Sequence, residues 1–259
     1  MQGKGGKQIK LKHIESFLSD LDNFEKGEFS KLKLEQHMTP PNVAALCVSI
    51  VAEIEENLED QIVGDFGCGT GMLSCGMICV GAGQVIGLEL DSKYAQITLD
   101  TLEDKFDDPS MYDVININIK HWQPPTLNGK LFDTVVMNPP FGTKDEGIDV
   151  VFLEKAFCKY NLKQIKNHIS NLIKETCSGN VYSMHKSSTR KFLQKKAEQC
   201  GYEFTVLQEI KFPLPKRFNK YHKKEVAYTE VDFILFKPKQ TIPQTEVQKN
   251  EEKKVNVQE

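Results

Sequence analysis

Apolar positions along this chain change their period part-way. From Ile9 to Leu21 the residues Ile9, Leu11, Ile14, Phe17, Leu18 and Leu21 recur at helical spacing, which predicts a docked N-terminal helix. Asn42 to Leu58 repeats the pattern behind Pro40-Pro41, and proline suits a helix start because the N–H it lacks would have no partner there. The helical period then gives way to short, β-branched runs: QIVGDF (61–66), QVIGLEL (84–90), VININI (114–119), FDTVVMN (132–138) and GNVYSM (179–184). Runs of this kind predict buried strands. The first three intervals are the length of a crossover helix, so the pattern predicts βαβ units in a largely parallel, doubly wound sheet. YEFTVLQEI (202–210) and TEVDFILFK (229–237), joined by a loop rich in Pro and Lys, suit an antiparallel pair. A second helical pattern covers Cys158 to Ser178, with Leu162, Ile165, Ile169, Leu172 and Ile173 on one side.

Composition alters this picture mainly at the ends. A chain of 259 residues that is 39% hydrophobic can bury one sizeable core. Residues 1–8 are Gly/Lys-rich, and residues 238–259 are dominated by Pro, Gln, Lys and Glu. Both are expected to be disordered, leaving residues 9–237 as a single domain with a helical lead-in. A net charge of -3 and a pI near 6.1 argue against a uniformly basic nucleic-acid binder. No apolar run approaches the roughly 18–20 residues of a membrane span, and MQGKGGKQIK lacks a secretory core, so an intracellular protein is expected. Seven cysteines, an odd number, fit reduced thiols better than a disulfide framework.

The first candidate chemistry lies in DFGCGTG. Gly67, Gly69 and Gly71 follow a strand and precede an apolar helix, where alternate glycines let the backbone approach a ligand and free N–H groups meet it. A dinucleotide fingerprint would need glycine where Met72 stands, which disfavours NAD. Glu89 ends the next strand, where a carboxylate can accept both ribose hydroxyls of an adenosine group. Asp65 can address a cationic or amino group near the loop. A tight turn with no ligand is the plainer alternative. Cys68, Cys75 and Cys79 have no second cluster to complete a metal site; they read as core residues, and no metal is predicted.

The second lies in Asn138-Pro139-Pro140-Phe141, at the carboxyl end of a central strand, where open α/β sheets bind ligands. The amide oxygen of Asn138 and the carbonyl of Pro139 make two acceptors stiffened by the prolines. Phe141 offers an aromatic face to a planar base. Two acceptors on the hydrogens of a ring amine pull it towards tetrahedral geometry and expose its lone pair to an electrophilic methyl. A proline-rich turn with Asn as a local cap is the alternative.

The stretches LEQHMTPPNVAA, VGDFGCGTGMLS, FDTVVMNPPFGTKDEGID, VYSMHKSSTR, YHKK and EVDFILF resemble class I S-adenosylmethionine-dependent methyltransferases. More closely, they are similar to the methyltransferase-like protein 5 family, which makes N6-methyladenosine in small-subunit ribosomal RNA. The similarity runs from Lys10 to Lys237. It implies an α/β, Rossmann-like class I methyltransferase fold: a seven-stranded, mostly parallel sheet with one antiparallel strand near the C-terminus. It further implies that Gln36 and Thr39 reach the methionine end of the cofactor with Gly67, Thr70 and Met72. Glu89 would hold the ribose, Asn118 and Ile119 would frame the adenine, and Asn138, Pro139, Pro140 and Phe141 would be catalytic. The chain departs from the family pattern at His37-Met38-Thr39, where Tyr-Pro-Thr is usual, and at Glu89 and Asn118, where Asp is common. The family works with a small zinc-binding activator subunit that covers an apolar sheet edge beside the second strand. GAGQVIGLEL (81–90) is apolar enough for such an edge, and equally for an ordinary buried strand.

Charge then suggests where RNA would lie. Between His185 and Lys224 there are eleven Lys and Arg residues against three Glu. In the loop PLPKRFNKYHKK, Lys216, Arg217, Lys223 and Lys224 interleave with Phe218, Tyr221 and His222, a pattern suited to phosphate tracking and base stacking. Lys191, Lys195 and Lys196 read equally well as a solvated helix face. His185, Lys186, Ser187 and Ser188 are expected as a strand-end loop beside the substrate pocket, without the G-x-S-x-G elbow of a hydrolase. The combined expectation is an adenine-N6 methyltransferase acting on structured RNA, in nucleus, nucleolus or cytoplasm. Its rivals are a methyltransferase of protein glutamine or DNA adenine, and a catalytically silent RNA-binding subunit.

Overall fold

The computed structural model describes residues 9–21, 38–122, 131–142, 145–157, 179–214 and 227–239. Two helices lead in, α1 (Leu11–Ser19) and α2 (Pro41–Ile54). The sheet then alternates with helices: β1 (Ile62–Phe66), α3 (Met72–Cys79), β2 (Gln84–Glu89), α4 (Ser92–Lys105), β3 (Tyr112–Asn116), β4 (Thr134–Met137), α5 (Ile148–Phe157), β5 (Val181–Lys186), α6 (Arg190–Gln199), β6 (Tyr202–Leu214) and β7 (Ala227–Pro238). The strand order is β3-β2-β1-β4-β5-β7-β6. Neighbours from β3 through β5 pair in parallel, while β7 runs antiparallel to both β5 and β6, so β7 is the one reversed strand, as expected.

Burial on both faces follows from the near-continuous apolar runs. β4 is buried at every position. Val136 joins a core with Leu18 of α1, Val48 of α2 and Met77 of α3, whereas its neighbours Val135 and Met137 join a second core with Phe152 of α5 and Leu193 of α6. That alternation places one helical layer on each face. Truncating the fully buried Leu18 to alanine would cost about 2–5 kcal/mol.

Several expectations shift. β3 ends at Asn116 rather than running to residue 119. Asn116 turns its amide onto the carbonyls of Glu89 and Leu90 (3.0 Å each), and Asn118 Oδ1 accepts Lys120 N (3.0 Å), so side chains take over the backbone partners a longer strand would use. Asn118 and Ile119 therefore sit in a turn beyond the strand. α5 goes beyond the sequence expectation: Ile148, Phe152, Leu153, Ala156 and Phe157 share its buried face, but Val150 and Val151 on the other side blur the stripe. The predicted helical pattern at 158–178 lies outside the described residues. β2 is no sheet edge, because β1 flanks it on one side and β3 on the other; the edge strand beside it is β3.

Candidate active site

The strand order reverses between β1 and β4, and this is where open α/β sheets bind ligands. Asp65 pairs with Val136, so the loops after Phe66 and Met137 emerge side by side. Leaving β1, the chain turns through Gly67, Gly69 and Gly71 at φ of 74°, 58° and 84°. That region costs other residues roughly 1–2 kcal/mol each. Around the loop, Thr98 of α4 donates its hydroxyl to Gly69 O (2.6 Å). Glu89 accepts Gly69 N through Oε2 and Asp91 N through Oε1, both at 2.9 Å. Burial raises the Glu89 carboxyl above its usual pKa, against the opposing pull of the Asp91 and Gly69 N–H bonds. Each of its oxygens keeps a further acceptor site, so Glu89 can still take a pair of hydroxyls.

Two buried acceptors at this switch point have no hydrogen-bond partner: Asp65 Oδ1 and Asn138 Oδ1. Asp65 Oδ2 accepts Ser74 Oγ at 2.7 Å. Burial pushes the Asp65 carboxyl up to about 7; the Ser74 hydrogen bonds oppose this and the nearby Glu89 charge adds to it. An amino group would both fill the open acceptor and favour the ionised carboxylate. Asn138 Nδ2 donates to Thr39 Oγ1 at 3.0 Å, which ties the lead-in to the end of β4 across the sequence. Leaving the other half of that amide unpaired costs about 1–3 kcal/mol. Pro139 and Pro140 have no N–H to offer it.

Both loops open on a cavity of about 420 Å³. Of the sequence-predicted cofactor residues, Thr39, Asp65, Gly67, Gly69, Thr70, Met72, Glu89, Asn118 and Ile119 line it, and so do Asn138 and Pro140. Gly71 instead caps α3. Gln36 lies outside the described residues. Phe141 does not line the cavity: it is buried in the core, edge-on to Phe212 of β6 with ring centroids 5.6 Å apart. Sequence reasoning missed Tyr94, Lys120, Asp145, Ile148 and Phe152 as lining residues. Lys120 and Asp145 form an ion pair that links the turn after β3 to the loop after the Asn-Pro-Pro-Phe stretch. The run Lys144-Asp145-Glu146 beside that stretch was the available signal, but its partner stands far upstream.

The residues assigned to RNA divide. Lys216, Arg217, Phe218, Tyr221, His222, Lys223 and Lys224 lie outside the described residues. Lys186 ends β5 half-buried. His185 is corrected: it is no loop residue but part of β5, fully buried, and so has no surface to offer RNA. Ser187 opens a short 3-10 turn and donates its hydroxyl to Asp232 Oδ1 at 2.6 Å. Lys196 pairs with Glu154 of α5 at 2.5 Å, whereas Lys191 and Lys195 are exposed.

Comparison with known proteins completes the picture. A family model described as Ribosomal protein L11 methyltransferase (PrmA) matches residues 37–138, from the lead-in to the first residue of the fork. The chain is 35% identical over 231 residues to rRNA N(6)-adenosine-methyltransferase METTL5 of Danio rerio, covering 89% of this chain and 100% of that one. It belongs to the METTL5 family. The Drosophila melanogaster member, rRNA N(6)-adenosine-methyltransferase Mettl5, is 35% identical over 237 residues, 88% of this chain and 97% of the fly protein. Among solved structures, a proposed RNA methyltransferase from Pyrococcus horikoshii has a TM-score of 0.69 at 26% identity, covering 90% of this chain and 100% of that chain. At 89% of this chain, the METTL5-family likeness covers far more of it than the PrmA match, which stops at residue 138.

Proposed function

We propose that this protein methylates N6 of an adenosine in small-subunit ribosomal RNA, with S-adenosylmethionine as the methyl donor. The observation that carries the reading is the buried, partnerless Oδ1 of Asn138, held at the cavity by the Thr39 hydroxyl. Membership of the METTL5 family, whose zebrafish, fly and worm members are named rRNA N(6)-adenosine-methyltransferases, supports the substrate class. The residues present fit the donor. Asp65 Oδ1 is an open acceptor for its amino group, Glu89 for its ribose hydroxyls, and the backbone of Gly67 and Gly69 allows close approach. Asn118 and Ile119 would flank its adenine, and Gln36 and Thr39 would close the methionine end. When bound, the donor supplies an electrophilic methyl group.

The chain's own part is to prepare the attacking amine. Asn138 Oδ1 and the Pro139 carbonyl accept its two hydrogens, which withdraws the lone pair from the ring and aims it out of the ring plane. Phe141, braced by Phe212 in the core, anchors the far end of the fork. As the N–C bond forms at the expense of the donor's S–CH3 bond, the amine becomes acidic and releases one proton to water, so alignment and the two acceptors provide most of the acceleration without a strong base. The basic residues Lys216, Arg217, Lys223 and Lys224, with Lys186, would follow the RNA backbone while Phe218, Tyr221 and His222 stack on unpaired bases.

The test is purified protein with labelled methyl donor, offered small-subunit ribosomal RNA, ribosomal protein and DNA in parallel reactions, with nucleoside and protein analysis of the label. Label in N6-methyladenosine is expected. Label in ribosomal protein, the direction that the PrmA match suggests, or in DNA alone would overturn the substrate assignment.

A small zinc-binding activator subunit belongs to the same proposal, seated on β3 rather than on β2. β3 ends the sheet, and Ile115 on it and Leu90 beside it are 41% and 48% exposed. An added strand would pair that edge and cover both side chains. Ile115→Asp should abolish co-purification with such a subunit; undiminished co-purification would move it elsewhere.

A further inference from the structure

We propose that the Ser183–His185–Asp149 array, its serine and histidine buried and its aspartate half-buried, is a positioning device for the loop that carries Asn138, acting through that loop and never touching substrate. His185 Nε2 lies 2.8 Å from Ser183 Oγ, and His185 Nδ1 lies 3.3 Å from Asp149 Oδ2. Ser183 and His185 have no exposed surface. With Nδ1–H donating to the carboxylate, Nε2 is free to accept the serine hydroxyl. These residue types build hydrolytic triads elsewhere, but there the serine reaches a substrate. Here Ser183 is sealed in the sheet and does not line the cavity.

The array's ends coincide with the ends of the catalytic loop. Ser183 is paired with Met137, the residue immediately before Asn138. Asp149 stands in the first turn of α5, where the chain re-enters regular structure after that loop. The loop also folds back onto the same carboxylate: a methyl added at Gly142 would lie 3.7 Å from Asp149 Oδ1. One imidazole therefore joins the strand beside the loop's departure to the helix at its return. Asn138 Oδ1 has no partner of its own and its amide is held through Nδ2 to Thr39, so its aim depends on that bond and on how firmly these two loop ends are held. A shift of about 1 Å in a reacting group can cost on the order of 100-fold in rate.

This inference rests on Asn138 being the fork, and its test carries a readout independent of turnover. In the full-length protein, His185→Ala and Asp149→Ala should raise amide hydrogen exchange in peptides covering 137–142 at least ten-fold, leaving those of β1 unchanged. Both should lower kcat at least ten-fold, with the dissociation constant for S-adenosylmethionine within about three-fold of wild type. His185→Asn, which restores a donor to Asp149, should recover part of both losses. Asp149, at a helix terminus, provides the variant that stays folded if His185→Ala does not. Unchanged exchange in 137–142, or faster exchange with unchanged kcat, overturns the proposal. A parallel fall in kcat and cofactor affinity, or faster exchange throughout β1, reduces the array to general packing and overturns it as well. Should the wild type transfer no methyl to RNA, the functional reading fails by itself, and the exchange comparison decides whether the array holds the loop.

Discussion

β1 and β4, with β5 beside them, have two ends, and polar groups on β1 and β4 are treated in opposite ways at the two. At the amino ends, Glu55 Oε1 accepts both Asn180 Nδ2 and Tyr182 OH at 2.7 Å, and Oε2 accepts Gln61 Nε2 at 3.2 Å. Gln61 Oε1 in turn accepts Thr134 Oγ1 (2.7 Å), and Asp133 Oδ2 accepts Ile62 N (2.9 Å). At the carboxyl ends, three glycines hold positive φ, and the acceptors Asp65 Oδ1 and Asn138 Oδ1 are buried without partners. Among the described residues the remaining orphan is Ser49 Oγ, on α2. One end closes its hydrogen bonds to hold the fold together, and the other keeps acceptors open for a ligand. Stability and chemistry are thus separable along the same strands.

That separation can be broken deliberately. The largest effect should come from Asn138→Ala, which is expected to lower kcat about 100- to 1,000-fold with little change in Tm or in donor affinity, measured by single-turnover methyl transfer and calorimetry. Glu55→Ala should do the converse. Removing a charged acceptor shared by three side chains costs about 2–3 kcal/mol and lowers Tm by roughly 5–10 °C, while turnover per folded molecule stays at the wild-type value. A Glu55 variant that lost activity without losing stability would erase the distinction between the two ends.

Glu89→Ala sharpens the picture within the functional end, because Glu89 also braces Gly69. Calorimetry should show donor affinity about 10- to 100-fold weaker. An unchanged affinity would remove Glu89 from the ribose position. The smallest effect is a pH dependence of Asp65. Its folded pKa of about 7 exceeds the unfolded value near 3.9, so between those values the folded state binds the extra proton. Stability without the donor therefore falls as pH rises through that window. Donor affinity should rise as pH climbs through about 7, when the carboxylate ionises to meet the amino group. Asp65→Asn should flatten both profiles.

Much of this arrangement is legible in the residues themselves. The three glycines and the Asn-Pro-Pro-Phe stretch each state a local geometry, and their strand-to-helix setting states which end of the sheet they occupy. Less legible is whatever depends on pairing across the sheet. From its own residues β2 reads equally as an edge or as an ordinary buried strand; the crossover that brings β3 outside it and decides between them is a property of topology. α5 is hidden because Val150 and Val151 interrupt the polar side of its stripe. His185 looks like a surface residue from its neighbours Lys186 and Ser187; only its register opposite Asp232 in β7 and its contact with Asp149 reveal that it is interior. The same holds for Lys120 and Asp145, which meet across the cavity but stand 25 residues apart in sequence.

The account stands most directly on the open oxygen of Asn138. Nucleosides from small-subunit ribosomal RNA should be quantified by mass spectrometry in cells lacking this protein and complemented with wild type or with Asn138→Ala. N6-methyladenosine should fall in its absence and return with wild type but not with Asn138→Ala expressed at the same level. Equal restoration by both would contradict the fork as the chemical centre, and no fall in the first place would contradict the substrate.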